Sequence, residues 1–169
     1  MLEDGVITAD EPLELLEGDL VVVSPQGPQH TSRTALVGNL LRVAYGADHV
    51  REEKPLVASP THMPEPDLAV VRGAHQDYAE RHPRVDEAVL VVEIAWTSLD
   101  EDHRKLPGYA RGGAPVVWVL DLQARRLEEH SGPLADGSYK TSRILTAEEH
   151  IAPPTLNLSW LVADLVGVV

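Results

Sequence analysis

A chain of 169 residues with 43% hydrophobic content is long enough to pack one core, and the absence of cysteine excludes disulfides and thiolate metal sites. The net charge of −13 excludes broad electrostatic binding to duplex nucleic acid, because phosphate contacts dominate such affinity. No uncharged apolar run approaches the roughly 20 residues of a membrane crossing, and residues 1–15 lack the basic-then-apolar layout of a secretory signal, so a cytoplasmic location with no membrane partner is expected.

Leu13 to Glu17, Gly18, and Asp19 to Val23 predict a β-hairpin, with Gly18 supplying a positive φ at the turn. Residues 24–28 form a turn cluster that leads into a helix, with Pro28 at a first position where a missing N–H costs little. Val37, Leu40, Leu41 and Ala44 then recur at helical spacing until Gly46. His49 to Ala58 reads as a strand and Asp67 to Val71 as a short buried one, separated by a Pro-rich loop. Residues 74–87 read as a loop with a helical turn. Ala88 to Ala95 is a near-continuous apolar run, as expected for a strand covered on both faces. Asp100 to Arg111 predicts a helix interrupted by Pro107 and Gly108 and stopped by Gly112-Gly113, with Asp100 to Asp102 as a solvated first turn. Val116 to Asp121 reads as a central strand. Leu127 to His130 and Tyr139 to Leu145 should pair across Asp136-Gly137, and Ser159 should cap a short helix from Trp160 to Val166. The order predicts a single α/β domain with a mixed sheet flanked by helices.

Two acidic residues stand in apolar strands. Asp67 opens one strand after Pro66, and Glu93 lies inside Val-Leu-Val-Val-Glu-Ile-Ala. A carboxylate there is costly unless paired, hydrogen-bonded or metal-bound. Two such groups on neighbouring strands would repel, and Mg2+ suits that situation because it takes one or two carboxylates plus waters and phosphate oxygens. A nearby lysine could orient or deprotonate an attacking water and balance transition-state charge. The residues alone leave a second account open: Asp67 as a turn residue, and Glu93 as half of an ion pair with Arg104 or Arg111. The scattered histidines show no zinc-hydrolase spacing, and no Gly-rich phosphate loop appears, so no organic cofactor is expected. His30, by default, is a solvated first-turn residue. Tyr109 and Trp118 read as core, with a site-lining role open to Tyr109. Arg104, Lys105 and Arg111, followed by Arg125-Arg126, form the one local grouping of cations.

Pro66-Asp67 followed by Val92-Glu93-Ile94-Ala95 resembles the PD-(D/E)XK nuclease signature. The later run of Thr97-Ser98-Leu99, Asp102, Lys105, Tyr109-Ala110, Gly113, Pro115, Trp118 and Asp121 adds to it. So do residues 13–18 and 24–30. Together these residues resemble a widespread bacterial restriction-endonuclease family, long catalogued as a domain of unknown function, across about residues 13 to 130. The resemblance implies a restriction-endonuclease-like fold in one domain over 1–169. Its parts would be a hairpin near 13–23, a nuclease core near 28–130, and a hairpin with a short helix near 138–166. It implies an endonuclease that hydrolyses phosphodiester bonds in DNA with Mg2+, replaceable by Mn2+, and that pairs as a homodimer. Asp67, Glu93 and Lys105 would be catalytic, and Glu14, His30 and Tyr109 secondary. Asp67, Glu93 and the Ile94 carbonyl would hold the metal.

The chain also departs from that pattern. Ala95 stands where the superfamily lysine usually lies, which moves the role to Lys105. Trp96 replaces a small or acidic residue, and the segment from Asp102 to Lys105 is one residue short. A one-residue deletion turns a helical side chain by about 100 degrees, and an interior proline costs about 3 kcal/mol. These departures and the −13 charge support the alternative of a catalytically inert member serving as a binding or assembly module. The position of the Lys105 ammonium discriminates between the two.

Overall fold

The computed structural model describes residues 13–23 and 26–167. Its centre is a six-stranded sheet. The elements are β1 (Leu13–Leu16), β2 (Asp19–Val22), α1 (Pro28–Tyr45), β3 (Val50–Glu52), β4 (Leu68–Val71), β5 (Ala88–Ala95), α2 (Leu99–Gly112), β6 (Val116–Asp121), β7 (Arg126–Pro133), β8 (Tyr139–Thr146), β9 (His150–Ile151), β10 (Trp160–Leu161) and α3 (Val162–Val166). The sheet order is β3-β4-β5-β6-β7-β8, antiparallel throughout except for the parallel pair β5 and β6. A parallel pair needs a crossover, and α2 supplies it.

Strand alternation sorts the side chains onto two faces. Leu68, Val70, Leu90, Val92, Ile94, Trp118 and Leu120 join Val37 and Leu41 of α1 and Val162 and Leu165 of α3 in one core. Ala69, Val71, Val91, Val117 and Val119 join Tyr109 of α2 in the other. The odd-numbered positions 67, 93 and 121 therefore share the α2 face. This is how one carboxylate in an apolar strand comes to face a helix that carries a lysine. The mixed α/β fold agrees with the sequence reading. No helix among the described residues is long and apolar enough to cross a membrane.

Several local expectations are corrected. The strand read over His49 to Ala58 joins the sheet only at Val50–Glu52, with Val57 making an isolated bridge to Arg84, because Glu53 takes a φ of 48° and turns the chain, and Pro55 then lacks an N–H. Ser159 does not cap the last helix: Trp160–Leu161 pairs with His150–Ile151 first, and α3 begins after Leu161 without a side-chain cap. The helix expected to break at Pro107 runs through it to Gly113, whose φ of 87° ends it. The hairpin turn uses positive φ at both Glu17 (54°) and Gly18 (90°), which matches the twist of two antiparallel strands. A lone hairpin is marginal, and this one is tied down by backbone bonds from Gly18 N to Thr61 O (2.8 Å) and from Met63 N to Leu15 O (2.8 Å).

Candidate active site

β4 and β5 run antiparallel with Leu68 opposite Val92 as the last pair. Beyond it Asp67 takes over the role of a backbone partner: the Ile94 N–H donates to Asp67 Oδ2 at 2.6 Å. Its other oxygen, Oδ1, lies 3.0 Å from His30 Nε2 and accepts from Gln26 Nε2 at 3.1 Å. His30 is buried rather than solvated. Burial alone would lower its pKa, but the hydrogen bond and charge of Asp67, with Asp102 and Glu53, outweigh that and raise it.

Glu93 is fully enclosed. Its Oε1 accepts a 2.6 Å hydrogen bond from the Tyr109 hydroxyl, and its two oxygens lie 3.4 and 3.5 Å from Lys105 Nζ. Lys105 Nζ also reaches Glu14 Oε1 at 3.2 Å and Asp102 Oδ1 at 4.0 Å. Lys105 is therefore in the site despite the short segment before it. Asp102, Lys105 and Tyr109 are spaced three and four apart and so share one helix face. The helix register is held from its C-terminal half, where Tyr109 bonds Glu93 and Gly108 lies against His62. A Cβ at Gly108 would come within 2.0 Å of His62 Nε2, so the glycine is what allows α2 to approach this closely.

The electrostatics are uneven. Desolvation pushes Glu93 well above the carboxylate range, with Asp102 and Asp67 adding to the rise and Lys105 and Tyr109 only partly opposing it. Desolvation likewise raises Asp102 to about 6 and raises Glu14. For Lys105 burial favours the neutral amine, yet Glu93, Glu14, Asp102 and Asp67 together push its pKa up. Lys105 is thus held as an ammonium. Burial and the Glu93 charge keep Tyr109 a neutral hydroxyl donor.

Sequence reasoning placed Asp67, Glu93, Lys105, Glu14, His30 and Tyr109, and all six are brought together here. It missed Asp102, read as solvated but buried beside Lys105. Its i, i+3, i+7 relation to Lys105 and Tyr109 was the available signal. It also missed Gln26, for which the sequence carries none. The linear grouping of cations disperses: Lys105 points inward, Arg111 pairs with Glu17, Arg126 pairs with Asp121, and Arg104 alone joins Lys105 at the cleft. The arginine pairing considered for Glu93 does not occur among the described residues.

Glu14, His30, Asp67, Glu93, Asp102 and Lys105 line an open cleft, with Tyr109 fully buried behind Glu93. The β1–β2 hairpin forms one wall, and the start of α2 with Trp96 forms another. No group of three His, Asp or Glu side chains among the described residues could hold a metal ion by itself. The donor set is instead two carboxylates of hard oxygen, with the Ile94 carbonyl on the same strand edge as its N–H. That set fits a cation that keeps several waters, as Mg2+ does, and does not fit zinc.

The sequence matches the Uma2 family, described as "Putative restriction endonuclease", over residues 2–164. The chain belongs to the Uma2 family. Its fold is similar to the crystal structure of a putative nuclease belonging to DUF820 from Anabaena variabilis ATCC 29413, with a TM-score of 0.75 over 97% of this chain and 94% of that one. At 13% identity that likeness speaks for the fold alone. No curated protein matches the chain. The Uma2 assignment and the nuclease-type fold together make this a nuclease-like protein.

Proposed function

We propose that this Uma2 protein is a metal-dependent endonuclease that hydrolyses phosphodiester bonds in DNA. Asp67, Glu93 and the Ile94 carbonyl would hold Mg2+ or Mn2+, and Lys105 would act beside them. The observation that carries the reading is the Lys105 ammonium, 3.4 Å from Glu93 in the same cleft as Asp67. The excess of carboxylates there supports it too, since burying them uncompensated is costly and a divalent cation offsets the cost. When bound, such a cation supplies Lewis-acid polarisation of the phosphoryl group and lowers the pKa of coordinated water.

The protein's own groups have distinct tasks. The Ile94 amide, His30 and Gln26 fix the Asp67 carboxylate from both oxygens, so it presents one orientation. Tyr109 does the same for Glu93. Lys105, held charged, donates to a non-bridging phosphate oxygen and offsets the negative charge that grows there in the transition state. Glu14 holds the ammonium in place from the hairpin side. Pairing of two copies as a homodimer rests on the family resemblance.

Metal titration in a thermal-shift assay tests the reading. Mg2+ or Mn2+ should raise the melting temperature, as expected for a ligand that binds only the native state, and Asp67→Ala should abolish the rise together with cleavage of labelled DNA. A wild-type protein whose melting point ignores both metals sinks the proposal. An inert binding module is the second reading, favoured by the −13 charge. The position of Lys105 weighs against it.

A further inference from the structure

Six acidic side chains line the cleft, namely Glu14, Glu65, Asp67, Glu93, Glu101 and Asp102, while Lys105, Arg104 and His30 are its cationic groups. Polyanion affinity scales with the number of phosphates that Lys and Arg neutralise. Phosphate contacts therefore supply little of the affinity here, and another part of the substrate must supply the rest.

The cleft offers a second kind of surface. Trp96 follows β5 directly, three residues beyond Glu93, and lines the cleft with 39% of its surface exposed. Val21, Val22 and Val23 line it from the hairpin, and Val22 is 71% exposed. Apolar area left open at the mouth of a cleft forgoes about 25 cal/mol per Å² of burial unless something covers it. A nucleobase is the part of a nucleic acid that such a surface binds. Stacking on an aromatic side chain needs no charge and tolerates any sequence. Within a duplex the base faces are already stacked on their neighbours and out of reach.

We infer that the cleft takes an unpaired nucleotide of a DNA strand, with its base stacked on Trp96 against the hairpin valines, its phosphate lowered to Asp67, Glu93 and Lys105, and Arg104 meeting a flanking phosphate. This rests on the phosphodiesterase reading and narrows its substrate to single-stranded DNA. Trp96 is a specificity-determining residue that selects unpaired over paired DNA.

Fluorescence anisotropy with a fluorescein-labelled 12-mer of mixed sequence, single-stranded or annealed to its complement, tests this with and without Mn2+, alongside a cleavage assay on the same strands. The wild type should bind and cut the single strand in preference to the duplex. Trp96→Ala should weaken single-strand binding roughly 5- to 100-fold, the loss of one stacked base, and raise KM with little change in kcat. Trp96→Phe should recover most of that loss. Duplex binding should stay unchanged in both variants. Single-strand cleavage with unaltered KM in Trp96→Ala overturns the inference and leaves the nuclease reading standing. Preferential duplex binding, or no binding of either form, also overturns it. Single-strand binding that depends on Trp96 without any cleavage upholds the stacking site and removes the nuclease reading.

Discussion

Two clusters of ionisable groups lie on different sides of α2, and they are compensated differently. On one side, a single buried lysine, Lys105, serves Glu14, Glu93 and Asp102. On the other, a single glutamate, Glu128, is served by His103 (2.8 Å), Arg126 (3.6 Å) and His130 (3.6 Å), and Arg126 also meets Asp121 at 3.1 Å. Both clusters are substantially buried and both are rich in hydrogen bonds. They differ in balance. Around Glu128 one guanidinium, Arg126, is shared with Asp121, and the other two contacts are imidazoles, of which His130 is held below its ordinary pKa by burial. Around Lys105 carboxylates outnumber the cation, Asp102 is raised to about 6 and Glu93 well above its usual range. Burial alone does not separate a structural ion pair from a working site. What sets the two apart is that three buried carboxylates, Glu14, Glu93 and Asp102, share the single ammonium of Lys105.

Substitutions can break or sharpen this contrast. Lys105→Met should have the largest effect, because among the described residues its ammonium is the cation within 4.0 Å of all three buried carboxylates, Glu14, Glu93 and Asp102. A loss of about 3–5 kcal/mol in urea unfolding is expected, along with loss of cleavage, and Mg2+ should restore part of the stability. A variant as stable as wild type without metal would mean that the carboxylates are already neutral or solvated.

Asp102→Asn should act in the opposite direction. The native pKa of about 6 lies above the ordinary aspartate value of 3.8, so this carboxyl's contribution is favourable below about pH 4 and is lost as pH rises through 6. At pH 7 its charge is a net cost. The asparagine variant should then be more stable by about 1–3 kcal/mol, with the advantage shrinking as pH falls from 6 to 4. Melting curves across that window measure it. An advantage that is constant with pH would count against the assignment.

Glu128→Gln should be the mildest. Arg126 keeps Asp121 and His103 is part-exposed, so about 1 kcal/mol should be lost, with no change in the response to Mg2+. A changed metal response would join the two clusters into one site.

Much of this was legible in the sequence, and the reasons are specific. Ala88 to Ala95 announced a strand covered on both faces, and a glutamate in such a run signals chemistry because burial there needs a partner. Pro107 misled because proline propensity is local, whereas α2 is held by tertiary contacts, namely Tyr109 on Glu93 and Gly108 against His62. Asp102 was hidden, and His30 was reached only through the family resemblance, for a related reason: each sits in the first turn of a helix, where polar residues are ordinarily solvated. Only the folded arrangement of β4, the β1–β2 hairpin and α2 turns those first turns inward. Gln26 lies in a turn segment and carries no periodicity to read.

The hairpin that carries Glu14 is hydrogen-bonded to the loop at residues 61–63 rather than to the six-stranded sheet, and its ion pair with Lys105 closes a separation of 91 residues. Assembly of the candidate site should therefore follow assembly of the sheet, because the loop entropy of that long closure must be met before its contacts form. A sub-global opening that undocks the hairpin would dismantle the candidate site while the β-sheet persists. Competence for chemistry and global foldedness are thus separable properties of this chain.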